Sequence, residues 1–315
     1  MLSARDRFQY DIATGRGTLP VVSIITVAVW LISLSGNWLS AAVSLLCCGL
    51  SAYLLIEMDT YFALMRTRTT LPSCLFLAFY AVAPFLHSGF TQSVVTPLLV
   101  LTLFSLLRSY ENYDASPTVF HAFLFMGLAG LVVPCVVWIS PFLFIGMVYL
   151  RSLSLKTFLA GIIGLVLPYW FLFCYGVYIG DIGWSFPYLS DIFRFHPFTD
   201  YTLLSVCQII SLSFLLLLFV VYSVFYMQSA YKDKVQTRIM LQVIFWIGVW
   251  TFVLILLQPR YLNALFLTAA VSTAVLGGHV FALSFSRAVR ITFYSTLVLL
   301  ALLLVFNQWI QLFIS

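Results

Sequence analysis

Residues 201–257 read YTLLSVCQIISLSFLLLLFVVYSVFYMQSAYKDKVQTRIMLQVIFWIGVWTFVLILL. Two apolar runs, 201–227 and 241–257, flank a short polar stretch that carries Lys232, Lys234 and Arg238. Each run is close to the ~20 residues that an α-helix needs to cross a ~30 Å hydrocarbon core. Lysine and arginine are costly inside lipid, so the basic stretch marks the watery bend between two membrane helices. The rest of the chain repeats this pattern. Hydrophobic residues make up 63% and charged residues 8%, with a mean hydropathy of +1.08. A soluble surface needs roughly a quarter of its residues charged, so composition requires an integral membrane protein. The runs lack the alternation and regular turns of an outer-membrane barrel, and backbone satisfaction in lipid then leaves helices.

Breaks in hydropathy place spans near 19–35, 38–57, 71–87, 93–107, 119–135, 138–150, 157–179, 201–227, 241–257, 261–280 and 291–313. The expectation is an all-α, polytopic transmembrane helical bundle of about eleven spans, with 1–315 as a single integral membrane domain. The first 18 residues, MLSARDRFQYDIATGRGT, are polar and contain no apolar core followed by a small-residue cleavage site. They read as a polar cytoplasmic segment, with the first span as the anchor. Basic residues in short loops stay on the cytoplasmic side. With the N-terminus inside, that face collects Arg5, Arg7, Arg16, Arg66, Arg68, Arg108, Arg151, Lys156, Lys232, Lys234, Arg238, Arg287 and Arg290, and the other keeps only Arg194 and Arg260. This asymmetry predicts a cytoplasmic N-terminus and an outer C-terminus.

The formal charge of +5 therefore follows topology and attraction to anionic lipid headgroups, and it does not suggest nucleic acid. Cysteines 47, 48, 74, 135, 174 and 207 all fall in apolar stretches without metal-ligand spacing, and read as small packing residues. Transporters commonly carry intramembrane charges or paired broken helices near the bilayer midplane. Few such features occur here, so transport is disfavoured.

Arg260, in LLQPRYLNALF at 256–266, stands on the face where basic residues are scarce. An arginine at a helix end can snorkel to the headgroups, or its forked donors can hold an anion such as a lipid phosphate. The one substantial loop on the same face is GDIGWSFPYLSDIFRFHPFTD, 180–200. It interleaves Asp181, Asp191, Arg194, His196 and Asp200 with six aromatic residues. Acids there could serve as a general base or hold a divalent cation, whereas FPYLSDIFRF alone suits an amphipathic interfacial helix. His87, in FLHSGF, is predicted on the outer face, where it either joins a site or caps a helix. His121 and His279 read as structural, the latter after a glycine pair suited to close helix packing. Glu57 and Asp59 lie near Arg66 and Arg68, which suits interfacial pairing.

HAFLFMGLAGLVVPCVVWISPFLFIGMVYLRSLSLKTFLAGIIGLVLPYW, 121–170, resembles the middle of the polytopic lipid-linked sugar transferases of the GT-C superfamily. The matching elements are Gly127-Leu128-Ala129-Gly130, Pro134, the basic turn from Arg151 to Lys156, and Leu167-Pro168. TTLPSCLFLAFYAVAP, 69–84, and QPRYLNALFLTAAVSTAVL, 258–276, are similar to further segments of such enzymes. The general layout also resembles an uncharacterised family of bacterial inner-membrane proteins. The first resemblance implies a transferase that moves a sugar from a polyprenyl-phosphate carrier to an acceptor on the outer face of the inner membrane. Arg260 would hold the carrier phosphate with help from Tyr261, and one of Asp181, Asp191 and Asp200 would be the base. Arg194, His196 and His87 are the candidate substrate-binding side chains. The chain departs from the GT-C pattern at its first outer connection, SGNW, 35–38, which offers no acid. The alternative is a non-catalytic membrane scaffold or accessory protein of envelope assembly, for which the outer acids would be dispensable.

Overall fold

The structure is a computed structural model that describes the chain except residues 1–3, 16, 34–36, 68, 88, 182, 184–185, 194–203, 285 and 315. The side chains of residues 4–8, 189 and 311–314 also lie outside the described set. Among the described residues there is no strand. The helices are α1 (Ala4–Thr14), α2 (Thr18–Ile32), α3 (Trp38–Phe62), α4 (Leu71–Val82), α5 (Phe90–Leu107), α6 (Ser116–Val132), α7 (Ser140–Tyr149), α8 (Leu155–Ile179), α9 (Phe186–Phe193), α10 (Val206–Ser229), α11 (Val235–Leu257), α12 (Leu262–Leu283) and α13 (Arg287–Ile314). Short 3-10 turns precede α7, at Pro134–Ile139, and α12, at Pro259–Tyr261.

Seven helices among the described residues, α3, α5, α8 and α10–α13, are long and apolar enough to cross a membrane, and they make this a multi-pass membrane protein by length and composition. The other apolar helices are shorter than the eleven-span expectation required. α4 has 12 residues and α2 has 15, about 18 and 22 Å at 1.5 Å per residue. Prolines account for two of the cuts. Ala83 and Val133 take non-helical backbone angles ahead of Pro84 and Pro134, as a residue before proline prefers, and end α4 and α6 there.

Hydropathy also cannot distinguish a helix wrapped in protein from one wrapped in lipid. All of α4 but Ala78 is buried, and all of α12 but Asn263 and Leu283. These two pack together as the centre, with α2, α3 and α13 around α4 and with α5, α10 and α11 around α12. The Ala, Ser, Thr and Gly residues of α12 allow this close approach. A Cβ on Gly278 would stand 2.9 Å from the Pro72 nitrogen, and one on Gly277 would stand 2.6 Å from the Tyr222 ring. The same logic joins α6 to α8: a Cβ on Gly127 would meet the Leu165 carbonyl at 2.6 Å, and one on Gly164 the Phe120 carbonyl at 2.5 Å. The small-residue run at 127–130 is thus a packing surface.

The N-terminal polar segment contains α1, which hydropathy alone did not reveal. Its Gln9 is fully buried and donates from Nε2 to the carbonyls of Phe281 (2.8 Å) and Ser284 (3.1 Å). These lie at the C-terminal end of α12, where carbonyls lose their intrahelical partners. Thr69 donates to the Ala13 carbonyl, tying α1 to the α3–α4 connection as well.

Polar contacts sort the connections into two ends. At one end Arg66 faces Asp233 (3.7 Å), Lys156 faces Asp114 (3.3 Å), and the Glu111 amide donates to the Leu150 carbonyl (2.9 Å). At the other, the Trp138 indole donates to the Ile192 carbonyl (2.9 Å) and Gln208 donates to Asn263 (2.9 Å). Every described lysine and arginine from Arg66 to Arg238 belongs to the first end, and Arg260 to the second.

Candidate functional site

Arg260 sits in the turn between α11 and α12. Gln258 ends α11, its backbone N–H donating to the Leu254 carbonyl (2.8 Å), and its non-helical backbone admits Pro259. The Tyr261 amide then closes the turn on the Gln258 carbonyl (3.1 Å). Gln258 and Pro259 are buried, Tyr261 is half-buried, and Arg260 is exposed. The turn therefore anchors itself through its neighbours and presents the guanidinium outward.

The acidic loop meets this turn through α9. Pro187 stands in the first turn of α9, where its missing N–H costs no hydrogen bond. α9 packs on the 134–139 turn, with Phe186, Tyr188 and Phe193 exposed and Asp191 and Ile192 half-buried. A relay of indoles fixes it: Trp138 donates to the Ile192 carbonyl, and Trp250 of α11 donates to the Trp138 carbonyl (2.6 Å). The Trp250 ring stacks on Phe142, with centroids 4.5 Å apart and planes 21° apart. Asp191, Arg260 and Cys135 all lie within Coulombic range of the Tyr261 hydroxyl. Asp191 and Arg260 thus stand on the same side of the bundle as Tyr261, within electrostatic reach of it.

The other expected residues are distributed differently. Asp181 is exposed just beyond α8, where Gly180 takes a left-handed φ of 80° and the Asp181 amide donates to the Gly176 carbonyl (3.1 Å). Arg194, His196 and Asp200 lie outside the described residues. His87 is 2% exposed. Its Nε2 faces the Tyr80 carbonyl at 3.1 Å, which can only accept, so Nε2 carries the hydrogen and Nδ1 accepts from the Ser33 hydroxyl. Both ring nitrogens are engaged inside the bundle, and the expected substrate-binding role does not fit this enclosed ring. Burial holds His87 down to about 4 and keeps it neutral.

For a divalent cation, the described residues offer no group of three His, Cys, Asp or Glu side chains. A cavity of about 550 Å³ lies at the N-terminal ends of α3 and α5, lined by Asn37, Ser40, Phe90, Thr91 and Gln92 among others. None of the Arg260 group lines it.

Sequence reading did not single out a charged cluster at the opposite end of the bundle. Asp233, in the α10–α11 connection, has a side chain only 5% exposed, and it faces both Arg66 and the buried His279 of α12, the latter at 3.2 Å. The signal was present, because Asp233 is the one acid in the YKDK turn, but a turn between lysines reads as solvated. Comparison with protein-family models, curated proteins and solved structures finds no match to this chain.

Proposed function

We propose that this chain is a transferase of the bacterial inner membrane that moves a sugar from a polyprenyl-phosphate carrier to an acceptor hydroxyl on the outer face. The observation that carries the reading is that Asp191 and Arg260 both lie within electrostatic reach of Tyr261, at the end of the bundle poor in basic residues. Arg260 holds the carrier phosphate through charge-assisted hydrogen bonds, and Tyr261 assists. Asp191 takes the proton of the acceptor hydroxyl as its oxygen attacks the sugar. The sugar–phosphate bond breaks, and the departing phosphate leaves its charge beside the guanidinium. In this reading the chain crosses the bilayer eleven times, the short helices included, with the N-terminus in the cytoplasm. The sorting of connections into a basic end and an Arg260 end supports that orientation.

Lipid binding by purified protein tests the site. Arg260→Lys should accumulate normally yet bind polyprenyl phosphate more weakly by ~1–3 kcal/mol, because lysine lacks the planar fork. Arg260→Gln should lose more, and Asp191→Asn should abolish transfer with binding retained. Equal binding by wild type and both Arg260 variants would reduce Arg260 to an interfacial anchor. A second reading, a non-catalytic scaffold of envelope assembly, is favoured by the position of the 550 Å³ cavity away from the Arg260 group. It expects Asp191→Asn to leave function intact.

A further inference from the structure

Asp233 and His279 form a buried pair of titratable groups at the basic end, which the proposed transfer does not use. Their side chains are 5% and 2% exposed. Oδ2 and Nε2 approach to 3.2 Å but lie off the axis of a hydrogen bond, so neither atom completes one, and His279 Nδ1 has no hydrogen-bond partner among the described residues. Buried polar atoms are seldom left in this condition, and each such case asks for an explanation. Nε2 faces a carboxylate oxygen, which accepts only, so Nε2 carries a hydrogen whether the ring is neutral or cationic. On the solvent side Arg66, whose side chain is 54% exposed, approaches Oδ1 to 3.7 Å.

Asp233 is the last described anchor of a connection that otherwise faces water. The 3-10 turn Ala230–Lys232 ends there, the Asp233 amide donates to the Ala230 carbonyl (3.2 Å), and Lys232 and Lys234 on either side are exposed. Next to Arg66, the Met65 amide donates to the buried Asp59 of α3 (3.2 Å), a second carboxylate at this end. From α10, Tyr226 meets His279 edge-on with ring centroids 5.9 Å apart. From α11, the Arg238 carbonyl accepts the Tyr226 hydroxyl (3.0 Å) and its guanidinium acts on Tyr226 from a distance. α1 brings the uncharged Gln9, α4 brings Pro72 against Gly278, and α13 begins with Arg287, which is exposed.

We propose that Asp233 and His279 are a proton-operated latch that holds the α10–α11 connection onto α12. With His279 neutral, the described cation within ion-pair distance of Asp233 is Arg66, whose charge is half in water and therefore screened. When one proton from solvent binds at Nδ1, the ring becomes a cation, and the buried carboxylate lies between two positive groups. The Nε2–H then gains a charge-assisted attraction to Oδ2, which draws the connection inward. Loss of that proton relaxes it. The latch lies at the far end of the bundle from Arg260 and does not depend on the transferase reading.

Hydrogen–deuterium exchange on the full chain in lipid nanodiscs tests the latch at the amides of Asp233 and Arg238, corrected for the intrinsic pH dependence of exchange. Between pH 8 and pH 5.5 wild-type protection should rise about tenfold. His279→Gln should sit at the weaker level and show no pH step. Arg66→Gln, which removes an exposed partner, should lower protection at both pH values and keep the step. Protection that is independent of pH in the wild type, or a step that survives in His279→Gln, would overturn the proposal. Should His279→Gln fail to fold, the wild type and Arg66→Gln still decide it, because a step absent from both leaves no latch.

Discussion

The packing of α12 against α4 can be tested with a single methyl group. Gly278→Ala places a Cβ 2.7 and 2.9 Å from the Pro72 ring carbons and 2.9 Å from its backbone nitrogen. Neither a fixed ring nor a backbone atom at the start of a buried helix can yield by rotamer change, so the helices themselves must move apart. Overpacking of this kind costs about 1–3 kcal/mol. The reference is Gly49→Ala in α3, where an added Cβ meets nothing within 4 Å. Both substitutions gain the same helix propensity, about 0.5–1 kcal/mol, which cancels when the two variants are compared. Thermal unfolding in one detergent, followed by intrinsic fluorescence, should therefore rank Gly49→Ala at or above wild type and Gly278→Ala about 1–3 kcal/mol below Gly49→Ala. Equal midpoints for the two variants would refute the central packing of α12 on α4.

His87 makes stability depend on pH. Its folded value of about 4 lies below the ordinary 6.5, so the unfolded chain binds the extra proton more readily. The contribution is complete above pH 6.5 and lost as pH falls toward 4, by about 3 kcal/mol in all, and a His87→Asn variant should show a flatter pH–stability curve than wild type. Trp138→Phe removes the donor to the Ile192 carbonyl while keeping an aromatic ring, and should loosen α9 by about 0.5–1.5 kcal/mol, read as faster amide exchange across 186–193. For topology, a reporter active only outside the cytoplasm should work when fused after Asp191 or Ser315 and stay silent after Lys234. Activity at Lys234 would reverse the proposed orientation.

Each apolar helix of the structure coincides with a run visible in hydropathy, with ends displaced by a few residues, because the cost of polar backbone and side chains in lipid is written locally. The lengths were less legible. α4 reads as a span over 71–87, yet it stops at Val82 because Ala83 precedes a proline, and neighbours that come from distant sequence bury it. α1 escaped for the opposite reason. Its residues are polar, and the carbonyls that Gln9 satisfies belong to residues more than 270 positions away. At the candidate site, the amphipathic character of FPYLSDIFRF anticipated a helix, and α9 occupies Phe186–Phe193. Which acid of the loop would approach Arg260 depends on Trp138 and Trp250, whose indoles orient α9 from two other parts of the chain. His87 looked accessible because it follows the end of an apolar run, and only the fold shows Ser33 and Tyr80 closing over it.

The near-complete burial of α12 bears on how the protein responds to its lipid. Bilayers of different thickness act on helices that touch acyl chains, by tilting them or changing their exposed length. Here those are chiefly α3, α8 and α13, of whose apolar windows 33%, 28% and 28% are buried, against 100% for α12. Thickening or thinning the membrane therefore strains the rim and leaves the central helix at its own length. Tyr261 and His279, 18 residues apart on a continuous turn and helix, stay about 27 Å from each other along the axis whatever membrane surrounds them.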